Sequence, residues 1–388
     1  MNIHWVDSVN SDAQFLNLLS HSMIVGGNRV VVRSNKRDIF KVPEQVEWHD
    51  FSILGRLPKS LDGHPMRYAV GLAYPADWVR TVAWLVRNRV KSILLTGHLK
   101  LPPIDTAAHI ALRRAGIETV HICHKPHPDY FEAHSPKIAR KYKRYYHCSS
   151  KIITMTDYTR RLMMNYYDLP ADKFIQMPHP HFAGLLSNVK ANGASESRLK
   201  AWATDLPVIT ITSNYTPEHG FNQFFAALPY LRKQFKKIRL LIVSVVSDAI
   251  RKKIKHKLDA AGFLESEYQL LTSSYSYSDL LAMLEVTSLM LTPYNWATQS
   301  GVIPLASAFG KPVVATDVGG LKEMVLEGKS GEVVKADDPE QMAAACARIL
   351  NSANYQHYLK GSFLACEELF SPKKATDIVV KTLSDLER

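Results

Sequence analysis

The residues best suited to chemistry lie in polar segments that follow short apolar runs. Residues 293–325 read PYNWATQSGVIPLASAFGKPVVATDVGGLKEMV. An apolar run ends at Pro293, a polar turn follows, and helical spacing resumes near Ser300 and Gly301. The first amides of a helix lack intrahelical partners and sit at its positive dipole end, which suits a pyrophosphate. Thr298, Gln299 and Ser300 add side-chain hydrogen-bond partners, Gly301 admits close backbone approach, and Val302 opens the helix. A second flexible turn, Asp317, Val318, Gly319 and Gly320, leads to Glu323. A plain helix cap and glycine turn would also explain any one of these dipeptides, but the whole constellation outweighs that reading.

His124 ends an apolar run in VHICHKPHPDYF, beside Lys125 and His127. A histidine there could orient a sugar hydroxyl or carry a proton, and a loop histidine satisfied by backbone is the alternative. His98 follows SILLTG in the same way. Tyr275, before Ser276 and Tyr277, could stack on a base; an aromatic turn with Ser278 as helix cap is equally consistent. Ser247 and Asp248 are expected to end a strand and line the phosphates. Lys137, Arg140, Lys141 and Arg144 share one helical face, with Ile138, Tyr142 and Tyr145 on another. That face suits anionic lipid or a diphosphate-linked lipid acceptor, although charge runs are commonly just solvated. No P-loop, nucleophile elbow or clustered metal site is present, and no metal or cofactor is expected.

These loops need elements to hold them. Apolar runs at 2–6, 30–32, 92–96 and 119–123 alternate with helical spacing at 13–23, 78–90 and 104–115. A second series has strands at 207–212, 239–246, 288–291, 312–315 and 331–334, with helices at 221–235, 252–261, 277–284, 339–350, 355–369 and 374–386. Such alternation predicts parallel sheets of the Rossmann kind, whose ligands sit at the carboxyl ends of the strands. The small polar stretch 187–197 reads as a linker. The expected domains are 1–186 and 187–371, with helix 372–388 packing back on the first.

The chain has 388 residues, 46% hydrophobic and 22% charged, which excludes a disordered or collagen-like polymer. Forty-eight Lys and Arg against 36 Asp and Glu give a net charge of +12, which favours anionic partners. The four cysteines are scattered without metal or disulfide spacing. No apolar run approaches the roughly 18 residues of a membrane span, and the first residues lack a secretory pattern. A cytoplasmic protein is expected, with peripheral attachment to the cytoplasmic face of the inner membrane as its extension. RNP, KH and zinc-finger patterns are missing, so nucleic acid is not an expected partner.

The segment AFGKPVVATDVGGLKEMV, with GKSGEVVKADDPEQMAAA after it, resembles the donor-binding region of GT-B fold glycosyltransferases, especially the family-4 group. The similarity runs back through 209–220 and more weakly to His179. It implies an α/β protein of two Rossmann-like domains with parallel sheets facing an interdomain cleft, the C-terminal one binding a nucleotide-diphosphate sugar, UDP- or GDP-linked. The matching donor-side positions are Asn214, His219 and Gly220 with Ser247, Tyr275, Thr298, Gln299, Ser300, Gly301, Val302 and Glu323. His124 matches a histidine near the reacting sugar, and His98, Lys125 and His127 fall on the acceptor side. Most members carry two glutamates separated by seven residues, where this chain has Ala297 and Leu305. Their Arg and Lys phosphate clamp is matched here by Asn214 and His219, and the TQSG turn is similar to a branch lacking the first glutamate. The implied activity is metal-independent, retaining transfer to a saccharide or lipid-linked saccharide. A non-catalytic relative acting as a binding or regulatory subunit is the alternative, and a sugar-nucleotide epimerase fits the segment less well.

Overall fold

Short strands of Val, Ile and Leu, buried on both faces, are what a parallel sheet covered by helices requires. The chain builds two such sheets. The computed structural model describes residues 1–7, 13–34, 44–51, 64–96, 101–126, 136–186, 189, 193–204, 206–272 and 276–388. They divide into Met1–Pro178 with Pro372–Arg388, and His179–Ser371.

In the first unit β1 (Asn2–Asp7), β2 (Arg29–Arg33), β3 (Glu47–His49), β4 (Ser92–Thr96), β5 (Glu118–Ile122), β6 (Lys151–Thr154) and β7 (Phe174–Gln176) form one parallel sheet ordered 3-2-1-4-5-6-7. Its helices are α1 (Ala13–Val25), α2 (His64–Arg87), α3 (Pro102–Arg114), α4 (Pro136–Cys148) and α5 (Asp157–Tyr167). Every residue of β4 is buried, as its sequence requires. Helix α2 starts well before the expected residue 78 and carries Pro75 within it. The packing of α3 on α4 is aromatic: His109 stacks on Tyr145 with ring centroids 4.2 Å apart. The Tyr145 hydroxyl is 3.1 Å from Nδ1 of the buried His121. Complete burial of His109 pushes its pKa down to about 3.

The second unit begins with α6 (Ala183–Leu186) and α7 (Gly193–Ala203). It continues through β8 (Val208–Thr212), α8 (Phe221–Gln234), β9 (Arg239–Val243), α9 (Asp248–Ala260), β10 (Tyr268–Leu271), α10 (Tyr277–Val286) and β11 (Leu289–Thr292). Then come α11 (Val302–Ala308), β12 (Val313–Thr316), β13 (Gly331–Val334), α12 (Pro339–Leu350) and α13 (Ser352–Leu369). The sheet is parallel throughout, ordered 10-9-8-11-12-13, so its direction of winding reverses between β8 and β11. The last helix, α14 (Pro372–Glu387), packs on α1, β4 and β5 of the first unit. Ser92 Oγ donates to Glu387 Oε1 at 2.7 Å there.

The division falls after Pro178, not at 186 as expected. The Met177 amide still bonds Thr154 O, whereas the His181 amide bonds Phe370 O and Leu186 joins the core of the second unit. The expected linker at 187–197 is also shorter, because α7 starts at Gly193 and buries Leu199.

Candidate functional site

In an open parallel sheet the loops that flank the reversal point form a crevice at the carboxyl edge. In the second unit those are the loops after β8 and β11. The first, 213–220, ends in a 3-10 turn at Pro217–His219 and then Gly220. Gly220 has φ +65°, and a Cβ there would lie 1.7 Å from Pro293 O, so this turn touches the neighbouring loop backbone to backbone. The amides of Asn295 and Trp296 donate to Glu218 O at 2.8 and 3.3 Å. Asn295 Nδ2 donates to Pro217 O at 2.6 Å and to Asn222 Oδ1 at 2.8 Å.

His219 is half-buried, its Nδ1 2.8 Å from Thr216 Oγ1 and its ring edge-on to Tyr294 at 4.9 Å. Asn214 is exposed. Tyr294 is buried, its hydroxyl 3.5 Å from Ser300 Oγ, and burial pushes its pKa up to about 12. Thr298 and Ser300 are buried, while Gln299 and Val302 are half-buried and Gly301 is exposed. The Val302 amide donates to Ser300 Oγ at 3.2 Å, and the Ser300 amide points at Met324 Sδ at 3.3 Å. Pro304 removes a further amide from the first turn of α11, and the helix is only seven residues long. The helix dipole is therefore a small part of what this edge offers an anion. Around Gly301 there is room, since an added Cβ would meet only Phe182 at 3.5 Å.

The third loop joins these two. Thr316 Oγ1 donates to Tyr294 O at 2.6 Å, and the Gly320 amide donates to Ala297 O at 3.2 Å. Glu323, half-buried, lies in the short 3-10 turn Leu321–Met324. Ala297 and Leu305 are both packed into the core.

Ser247 lies apart from this lattice: β9 ends at Val243, and Ser247 caps α9 by accepting from the Ile250 amide at 3.5 Å, its side chain exposed. The expected strand end at Ser247 is thus a helix start. Ser276, not Ser278, caps α10, because Asp279 at the third helical position closes a capping box with it. Tyr275 lies outside the described residues, as do His98 and His127.

In the first unit His124 follows β5 by two residues and is half-buried, with Lys125 exposed after it. His179, buried in the second unit, sits edge-on to Phe182 with Nδ1 3.0 Å from Pro180 O. Burial lowers the pKa of His181. Arg140 and Arg144, exposed on α4, flank a groove of about 380 Å³ whose other wall is Pro102, Pro103, Thr106, Ala107 and Ile110 of α3. Lys137 and Lys141 lie on the same helix, but their side chains are outside the description. Among the described residues no three His, Cys, Asp or Glu side chains gather as a metal site, and no helix is long and apolar enough to cross a membrane.

Gln223 was not foreseen. It is 4% exposed and in the first turn of α8, with Nε2 2.6 Å from Asn295 Oδ1 and 3.3 Å from Tyr294 O. Its Oε1 accepts from the Asp337 amide at 2.8 Å. A signal existed: Gln223, Ala227 and Leu231 are in register on the buried face of α8, so one polar residue interrupts an apolar stripe.

Residues 200–352 match the family described as glycosyl transferases group 1. A D-inositol 3-phosphate glycosyltransferase of Nocardioides sp. is 24% identical over 57% of this chain and 50% of its own. A GDP-mannose-dependent alpha-(1-6)-phosphatidylinositol monomannoside mannosyltransferase of Mycolicibacterium smegmatis is 30% identical over 38% of this chain and 39% of its own. The chain thus spans half or less of the length of these curated relatives. The structure of HepE from Anabaena in complex with UDP superposes with a TM-score of 0.72 at 16% identity, over 99% of this chain and 100% of that one. Family match and fold agree: residues 200–352 are similar to glycosyl transferases group 1, and the chain has the α/β fold of GT-B structures, with two parallel sheets.

Proposed function

We propose that the chain moves a sugar from a nucleoside-diphosphate sugar to a saccharide or lipid-linked saccharide, in polysaccharide or glycoconjugate synthesis. The observation that carries this reading is the lattice binding the loops after β8, β11 and β12 into one carboxyl edge within the matched domain. Transfer releases a nucleoside diphosphate, so the electrostatic task is to hold its growing negative charge. Amides and hydroxyls from Ser300, Gly301, Val302 and Thr298, with Gln299, are the donors assigned to that task, and His219 and Asn214 assist. The Ser300 and Val302 amides, which donate to Met324 Sδ and Ser300 Oγ in the free chain, exchange these for phosphate oxygens when the ligand arrives. Glu323 and Gly220 belong to the same edge, with Ser247 further out, and Tyr275 is assigned to the nucleotide base.

UDP or GDP is the expected carrier, supported by the UDP bound in HepE and the GDP-mannose dependence in the mycobacterial relative's name. A donor set of amides, hydroxyls and histidine supports transfer without a metal ion, and retention of anomeric configuration follows from the family resemblance. The first unit takes the acceptor, with His124 assigned to the chemistry and Lys125, His127 and His98 to the acceptor side. The basic face of α4 rests on an anionic membrane surface, supported by the exposed Arg140 and Arg144 and the net charge of +12.

The deciding experiment is a thermal-shift screen with UDP, GDP, ADP, CMP and dTDP and their sugar conjugates, confirmed by calorimetry. A ligand that binds only the folded chain raises the melting temperature. The expected result is a selective shift with UDP or GDP. No shift at millimolar ligand would overturn the transferase reading in favour of a non-catalytic subunit.

A further inference from the structure

We infer that Gln223 is a positioning residue for the donor site, fixing the spacing of the loops on either side of the sheet's reversal point. The inference rests on reading that edge as a nucleoside-diphosphate site. The loop after β8 leads straight into α8, and Gln223 is the third residue of that helix. From there its amide reaches across the reversal point to the loop after β11, donating to Tyr294 O and Asn295 Oδ1. Its carbonyl oxygen accepts from the amide of Asp337, a non-glycine residue held at φ +60° in the turn after β13. One buried side chain thus ties three carboxyl-edge segments together.

The contacts beyond it continue in the same direction. Asn295, held by Gln223, donates to Pro217 O and Asn222 Oδ1 and so ties the second loop back to the first. Tyr294, whose carbonyl Gln223 and Thr316 share, carries the hydroxyl nearest Ser300 Oγ. A shift of Gln223 moves Tyr294, and with it the residues assigned to the phosphates, without touching the ligand itself. Misplacing preorganised donors by a fraction of an ångström weakens anion binding more than it weakens the fold.

The test separates those two effects in the full-length chain. Calorimetry with UDP and GDP gives the nucleotide Kd, and thermal unfolding gives the midpoint, for wild type, Gln223→Met, Gln223→Glu, Asn295→Ala and the Met/Ala double variant. Methionine keeps the length and loses every hydrogen bond; glutamate keeps the acceptor for the Asp337 amide and loses the donor to the second loop. The expected result is a Kd raised about tenfold in Gln223→Met and Asn295→Ala, no further in the double variant, as coupled residues require. Gln223→Glu, which sets a buried carboxylate against Tyr294 O and Asn295 Oδ1, should raise the Kd and lower the midpoint as well.

An unchanged Kd with a lowered midpoint in Gln223→Met overturns the inference and leaves Gln223 a packing residue, as does a wild-type Kd in Gln223→Glu. If Gln223→Met does not fold, the exposed Asn295→Ala decides: a raised Kd at an unchanged midpoint supports the inference, and an unchanged Kd overturns it. Wild-type protein that binds neither nucleotide overturns this inference together with the functional reading. Wild-type binding with indifferent variants overturns only this one.

Discussion

Gly220 is the residue whose backbone most narrowly decides whether the candidate site forms. Its positive φ costs any other L-residue about 1–3 kcal/mol, and a Cβ there would occupy the position of Pro293 O. Gly220→Ala is therefore expected to destabilise the chain by at least that amount in denaturant titration and to lower nucleotide affinity. Gly301 is the counter-case. It is exposed, with space where a side chain would begin, so Gly301→Leu should leave the melting midpoint within a few degrees while abolishing nucleotide binding. Unchanged affinity by calorimetry would remove that loop from the site. The run from Thr298 to Val302 was legible because a polar turn before a helix has a recognisable pattern. The partners that hold it were not. Gln223, Tyr294 and Asn295 meet through contacts some seventy residues apart, and no local spacing encodes such a meeting.

Among the elements, central strands such as β4 and β8 could be read directly, because they are Val, Ile and Leu broken only by Ser and Thr and are buried throughout. Three of the four edge strands could not, β13 being the exception. β3 (Glu, Trp, His), β7 and most of β10 are only half-buried, so their sequences need no apolar run. Helix α7 hid in a small, polar stretch that resembles a linker because only one face of it is covered. The pairing of α3 with α4 has a consequence in acid. Burial holds the His109 pKa at about 3, below its ordinary 6.5, so the folded chain refuses a proton that the unfolded chain accepts. Stability is complete above about pH 6.5 and falls as the pH drops towards 3, by an amount on the order of 3–5 kcal/mol for this group. Replacing His109 by Phe keeps a ring against Tyr145 and removes the titration. Denaturation midpoints measured from pH 7 to 4 should then decline less steeply in the variant than in wild type; parallel slopes would assign the acid sensitivity elsewhere.

At the scale of the molecule, the +12 charge was visible from composition, but which of those charges stand clear was not. Arg140 and Arg144 are exposed one turn apart beside the α3 groove. Reversing both to Glu should leave the fold and nucleotide affinity intact and weaken binding to vesicles rich in phosphatidylglycerol by roughly tenfold or more at low salt. Equal binding by wild type and variant would place any membrane contact on another face. Helix α14 has a consequence of a different kind, for the order of events during synthesis. The first unit is interrupted: residues up to Pro178 emerge before the whole of His179–Ser371, and the stretch that packs on α1, β4 and β5 emerges after it. At ribosomal speeds of about 5–20 residues per second, that leaves roughly 10–40 s in which a seven-stranded sheet waits without the helix that packs on β4 and β5. The second unit, continuous in sequence, has no such wait. The first half of the newborn chain is thus its natural client for chaperones, and Ser92 meets Glu387 only after the whole of the second unit has been made.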